Sequence, residues 1–262
     1  MTAPSHRGAE VAPDPGDRGL FVYAVVPADL EPPEDLHGLD DAPLAVVRHG
    51  QVAAVVSDMA LVRPPGRRAD LTAYTQVIEG LASAGPVAPV QFGAVALGQD
   101  ALDDDLLGPA EEDLAAVLET LRGRVQYNLR VSYIEDVVLA EVVSADPTIR
   151  KLRERTRMVP DDAARADKLR LGELVAAALE DKGADDANMV LDTVLPLVEQ
   201  HVVRPSSPEH PLDVALLVDD DHQGELVDQL EALAEVVHER MRLRLVGPLP
   251  AYDFTGGAAW AS

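Results

Sequence analysis

Hydrophobic positions along the chain fall into two kinds of period, and the switches between them outline the elements. Leu20-Phe21-Val22-Tyr23-Ala24-Val25-Val26 is a short apolar run ended by Pro27, which predicts a buried strand. A proline-rich loop follows, with Pro32, Pro33 and Gly38. Two further apolar runs, Leu44–Val47 and Val52–Val56, flank Arg48-His49-Gly50-Gln51 and predict a hairpin, because glycine reaches positive φ without strain. Asp70 is placed to cap a helix with Leu71, Tyr74, Ile78 and Leu81 on one face, stopped by Gly85-Pro86. Val87–Phe92 predicts another strand, and its Pro89 assigns it to an edge or a bulge. The first half thus reads strand, loop, strand, strand, helix, strand, a split β-α-β order in which a loop replaces the first helix.

A helix pair follows, with the domain junction expected in it or just after it. Asp103-Asp104-Asp105 lies near its start, Pro109 restarts it, Leu114, Val117, Leu118 and Leu121 line one face, and Gly123 ends it. Val125, Tyr127, Leu129, Val131 and Tyr133 alternate with polar residues, the clearest period of two in the chain. Val137–Val143 fits a strand or a helix equally. Asp146-Pro147 predicts a capped helix start; two more helices are predicted, one ending at Gly183 and one opening at Asp186 with a kink at Pro196. Leu212–Val218 predicts a strand. One of Asp219-Asp220-Asp221 then caps a helix carrying Leu226, Leu230, Leu233 and Val237. Met241–Leu245 is the last strand, broken by Gly247-Pro248-Leu249-Pro250. The expected division is a disordered arm over 1–18, an N-terminal α+β domain over 19–121, a C-terminal α+β domain over 122–256 and a tail over 257–262.

Composition narrows the function classes. The chain has 262 residues, 47% hydrophobic but only 3% aromatic, so its cores are built from Leu, Val and Ala. With 22 Lys and Arg against 46 Asp and Glu, its net charge is −24, which removes any global attraction to nucleic acid or an anionic membrane. It has no cysteine, hence no disulfide and no thiolate site. No run reaches the eighteen or so apolar residues of a membrane span, and the start lacks the order of a secretory signal, so a cytoplasmic location is expected.

Chemistry-bearing motifs are missing. There is no phosphate-binding glycine loop, no dinucleotide fingerprint and no nucleophile elbow. His238-Glu239 lacks the second histidine of a zinc helix. Asp103-Asp104-Asp105 and Asp219-Asp220-Asp221-His222 read as helix starts rather than metal loops. Most histidines sit in polar loops and are expected at the surface. The basic run Arg150–Arg157 has three readings: a helix face neutralised by the chain's own acids, a docking face for an acidic partner, or a nucleic-acid contact. No catalytic residue, metal or cofactor is expected.

Six segments, taken in order, resemble the GvpL/GvpF family of gas vesicle proteins. They are Phe21–Val26; Gly50–Ser57, like the family's "aavvs" strand; Pro89-Val90-Gln91-Phe92-Gly93, like "LPvrFGt"; Leu118–Tyr127, like "L..l.GkvEm"; Leu212–Val218, like "lnaAfLV"; and Leu245–Phe254, like "ltGPwPPYsF". Leu249 stands where the family usually has Trp, Ala251 where it has Pro, Gln91 for Arg and Gln126 for Glu, while Gly93, Gly123, Gly247, Pro248 and Pro250 are kept. The resemblance implies an α+β protein of two domains, each an antiparallel sheet packed with helices. The N-terminal one is a modified ferredoxin-like domain and the C-terminal one ferredoxin-like with inserted helices. It further implies a non-enzymatic minor component that binds the hydrophobic major shell protein, with other accessory vesicle proteins as further partners, and helps the shell nucleate and assemble. Pro89, Phe92, Gly93, Gly123, Gly247, Pro248 and Pro250 are then structural positions of the family motifs, with Gly93, Gly247, Pro248 and Pro250 setting the backbone. Leu249, Tyr252 and Phe254 are candidate partner contacts; the competing reading is a clasp that packs the tail onto the C-terminal domain. Two other classes remain open at this point: a ligand-sensing regulatory module of ferredoxin-like domains, and an enzyme with a nonstandard site.

Overall fold

The computed structural model describes residues 18–62, 64–158 and 161–256. The expected arm and tail lie outside these residues, except that Arg18 already belongs to the first strand. The chain divides into two compact units. One comprises residues 18–122 together with 250–256, and the other Gly123–Leu249.

The first unit is built on β1 (Arg18–Pro27), β2 (Leu44–His49), β3 (Val52–Ala60), β4 (Ala88–Pro89) and β5 (Val95–Ala96). Its sheet is antiparallel in the order β2-β3-β1-β4, with β5 also pairing β1. This is the ferredoxin-like order with one helix missing, since the connection from β1 to β2 holds only a single 3₁₀ turn at Leu39–Asp41. Helix α1 (Arg68–Ala84) lays Tyr74, Val77, Ile78 and Leu81 on Phe21, Tyr23, Ala53 and Val55 of the sheet. Leu71, expected on that face, is 51% exposed, and Asp70 takes the buried position instead. Asp70 sits in the first turn rather than before it, and its carboxylate accepts from the backbone N–H groups of Gly66 and Arg67, both at 2.9 Å. Pro89 pairs with Ala24 at the sheet edge, where its missing N–H costs no ladder bond.

Pro109 does not restart a helix. Helix α2 (Gln99–Leu102), a π-helical turn at Asp103–Leu107 and α3 (Gly108–Leu121) follow without a break. Proline is tolerated there because it falls at the second position of α3, next to the looser hydrogen bonding of the π turn. The wide turn presents Asp103 to the β2–β3 hairpin. His49 Nδ1 contacts the Asp103 carboxylate, and the Gln51 N–H donates to Glu111 Oε1 at 2.9 Å. His49 is therefore half-buried between helix carboxylates, not a loop histidine in solvent.

The second unit holds β6 (Arg124–Tyr133), β7 (Gln200–Val203), β8 (Leu212–Asp219) and β9 (Met241–Leu249), ordered β7-β8-β6-β9 and all antiparallel. Helices α4 (Glu135–Ala145), α5 (Pro147–Arg157) and α6 (Asp161–Val194) are inserted between β6 and β7; α7 (Gln223–Val237) joins β8 to β9. The order is again ferredoxin-like. Val190 and Val194 of α6 and Leu226, Leu230 and Val237 of α7 close a core over Tyr127, Leu129, Val131, Val214, Leu216 and Val218. The ambiguous Val137–Val143 is helical, and Asp146 caps α5 by accepting from the Thr148 N–H at 2.6 Å.

Three expectations fail here. The two helices predicted around Gly183 and Asp186 are one helix of 34 residues. The loop aspartates do not cap α7, since Asp219 is held by Arg124 at 2.7 Å. The last strand runs on through Gly247 and a cis Pro248 to Leu249, absorbing the irregularity as a register shift opposite Gln126 and Asn128. Strand β7, which carries no apolar period, was not expected; all four of its residues are exposed.

Candidate functional site

The closing segment is where the sequence places partner contacts; Leu249 is the last residue of the second unit, and from Pro250 on the segment belongs to the first. Two tight backbone bonds fold it, Tyr252 N–H to Pro250 O at 2.9 Å and Phe254 N–H to Ala251 O at 3.3 Å. Ala251 and Phe254 are buried, at 4% and 7% exposure, while Tyr252 reaches solvent at 38%. Leu249, half-buried, ends β9 opposite Gln126. The clasp thus exists, but its floor is the first unit and not the C-terminal domain. Gly256 adopts φ 82° with its backbone against Val117 of α3. Burial and then the charge of Glu79 on α1 push the Tyr252 hydroxyl above its ordinary value. Tyr74 is raised first by burial and then by Tyr252.

The first unit also holds a cluster of four of the chain's nine aromatic residues, Phe21, Tyr23, Tyr74 and Phe92. Phe92 is half-buried and sets its ring edge-on to Phe21 at 5.8 Å and to Tyr74 at 5.4 Å. Tyr23 lies 4.9 Å from Phe21, and its hydroxyl meets Ser57 Oγ at 2.8 Å and accepts from the Leu39 N–H at 2.7 Å. Tyr74 donates to Val90 O at 2.6 Å. Each buried hydroxyl has a partner, so the cluster is an anchored wall.

The backbone-setting positions have physical reasons. A side chain at Gly247 would place its Cβ 2.5 Å from Tyr127 Cδ1 and 2.9 Å from Gln126 O, so only glycine lets β9 lie this close to β6. Gly93 and Gly123 have φ of 98° and 66°.

The second unit carries two charged networks that the sequence did not reveal. Asp213 on β8, 8% exposed, is bound by Arg130 of β6 and by Arg204 Nη1 at 2.9 Å; Arg204 also reaches Asn128 Oδ1 at 2.9 Å. Burial would raise the Asp213 carboxyl, but the hydrogen bonds and charges of the two arginines outweigh it and hold the group below its usual range. Asp186 on α6 accepts from Tyr133 and from Arg240, both at 2.6 Å, with Lys182 at 3.4 Å. The first cluster ties β8 to β6 and to the residue that follows β7, and the second ties α6 to β6 and to the approach of β9. Among the described residues no group of three His, Cys, Asp or Glu is arranged to hold a metal ion. No described helix is long and apolar enough to cross a membrane.

The comparisons with known proteins agree with this architecture. The model of the family "Gas vesicle synthesis protein GvpL/GvpF" matches residues 19–256. The chain belongs to this family. It is 31% identical over 224 residues to gas vesicle protein F of Streptomyces sp. (strain CB03234), covering 85% of this chain and 92% of the relative. It is 18% identical over 238 residues to gas vesicle protein F of Dolichospermum flosaquae, covering 90% and 96%. The crystal structure of GvpF from Anabaena sp. PCC7120 superposes with a TM-score of 0.80 at 19% identity, covering 92% of this chain and 99% of that one. GvpF from Microcystis aeruginosa gives 0.75 at 18%, covering 90% and 98%. The two antiparallel sheets packed with helices are therefore the fold of this GvpL/GvpF chain.

Proposed function

We propose that this chain is a non-enzymatic assembly factor that binds the hydrophobic major shell protein in the cytoplasm and assists nucleation of the gas vesicle. Other accessory vesicle proteins are further partners. Family membership over residues 19–256 carries the reading. A shell subunit exposes an apolar face toward gas, and such a face aggregates in water until it is covered. A chain of net charge −24 that offers apolar contacts keeps such a complex in solution.

Two features support the contact. Tyr252 is the residue of the closing trio that reaches solvent, with Phe254 as its buried anchor and Leu249 leading into the turn. Strand β7 is a sheet edge with Val202 and Val203 exposed at 37% and 54%, open to an added extended segment. Pull-down of the co-expressed shell protein tests the reading. The unmodified chain captures it, and Tyr252→Glu or a Val202→Lys/Val203→Lys pair weakens capture severalfold. Absence of capture, together with normal vesicles in a deletion strain, would refute the proposal.

A further inference from the structure

The chain's positive charge is not spread evenly. Residues 147–170 hold eight of its 22 Lys and Arg but four of its 46 Asp and Glu, a net of four positive in a chain of net −24. The structure gives this segregation a surface. Helix α5 buries Ile149, Leu152 and Thr156 and turns its arginines and Lys151 outward. Lys151 and Arg155 share one helical row, four residues apart. Arg170, from α6, faces the same cavity of about 420 Å³, whose wall is completed by Pro147, Thr148 and Leu152. Arg155 is engaged by Asp167 at 2.8 Å. Among the described residues, Lys151 and Arg170 have no acidic partner. Outside the cavity lining, the same two helices leave two large apolar side chains exposed, Met158 at the end of α5 at 87% and Leu169 on α6 at 68%.

We infer that the cavity between α5 and α6 is a docking site for an acidic segment of another protein, with Lys151 and Arg170 as the cations that receive its carboxylates. Two arginines, Arg155 and Arg170, stand beside the apolar Pro147 and Leu152, and arginine is enriched at protein interfaces. The competing polyanions fit less well. Among the described residues no aromatic side chain lines the cavity to stack a base. The cationic helix is about 16 Å long at 1.5 Å per residue. Charges are screened beyond roughly 8 Å at physiological salt. A short acidic segment stays within that reach, whereas a long nucleic acid extends over surface of the opposite balance. The apolar face of α5 is already buried in the protein, so the helix has none to insert into a bilayer. This site is independent of the shell-binding reading and is tested without the shell protein.

The test is fluorescence anisotropy of the full chain with a labelled twelve-residue Glu/Asp peptide. A Gln/Asn peptide of equal length, a single-stranded 12-mer oligonucleotide and phosphatidylserine vesicles serve as competitors. The acidic peptide binds at least tenfold more tightly than its neutral counterpart, and the affinity falls at least tenfold between 50 and 300 mM NaCl. Lys151→Glu with Arg170→Glu abolishes binding with an unchanged circular dichroism spectrum. The charge-matched pair Arg242→Glu and Arg244→Glu, exposed on β9, leaves it intact. Equal loss in both pairs, tighter binding of the oligonucleotide or the vesicles, or no peptide binding would overturn the inference. Sedimentation showing self-association that the first pair removes would give the cavity to a second copy and overturn it likewise.

Discussion

At the residue scale, Gly247 and Asp213 contrast in how they relate to the sequence. The need for glycine at 247 is steric, because β9 crosses the Tyr127 ring too closely for any Cβ. The Gly-Pro spelling points to a special backbone but not to the ring beneath it. Asp213 is one charge among many in the sequence, and its partners Arg130 and Arg204 lie 83 and 9 residues away. Its folded titration value lies below the unfolded one. The stability it contributes is therefore complete above about pH 4 and fades as pH falls through the folded value. Asp213→Asn costs roughly 2 kcal/mol at pH 7, the scale of a hydrogen bond to a charged group. It also flattens the acid limb of stability against pH. Urea titrations of both proteins between pH 3 and 7 measure this, and parallel curves would refute it.

At the element scale, periodicity was a good guide where one face alone is buried. Tyr127, Leu129 and Val131 mark β6, and Tyr74, Ile78 and Leu81 mark α1, because the same residues that alternate in sequence meet the core. Local breakers misled where tertiary packing compensates. Gly183 reads as a helix end, yet α6 continues because Asp186, three residues on, is fastened by Tyr133 and Arg240. Strand β7 escaped because its four exposed residues carry no pattern and its pairing with β8 comes from the fold alone. The helical reading of Gly183 has a direct consequence. A Cβ there would meet Pro211 at 3.5 Å, an ordinary contact. Gly183→Ala accordingly raises stability by roughly 0.5–1 kcal/mol through helix propensity, read as a higher Tm. A lower Tm would mean that the helix breaks at this glycine.

At the scale of the whole molecule, two ferredoxin-like sheets share one strand order without sharing sequence, and the family's motifs fall at backbone-setting points in both. The partner contacts were only partly legible. Tyr252 and Phe254 are neighbours in sequence, but the turn at Pro250–Ala251 sends one outward and the other into the first unit. Removing residues 250–262 is expected to strip the floor contacts of Ala251 and Phe254. Unfolding would then become easier in the first unit while the second keeps its stability, which hydrogen exchange resolves unit by unit. Loss of protection in residues 123–249 instead would contradict the assignment. That division also sets an order of birth. As the chain leaves the ribosome, the unit begun first receives its last piece only after all of Gly123–Leu249 has emerged. The inserted unit is free to mature earlier, and the opening one waits until residues 250–256 have emerged to be sealed.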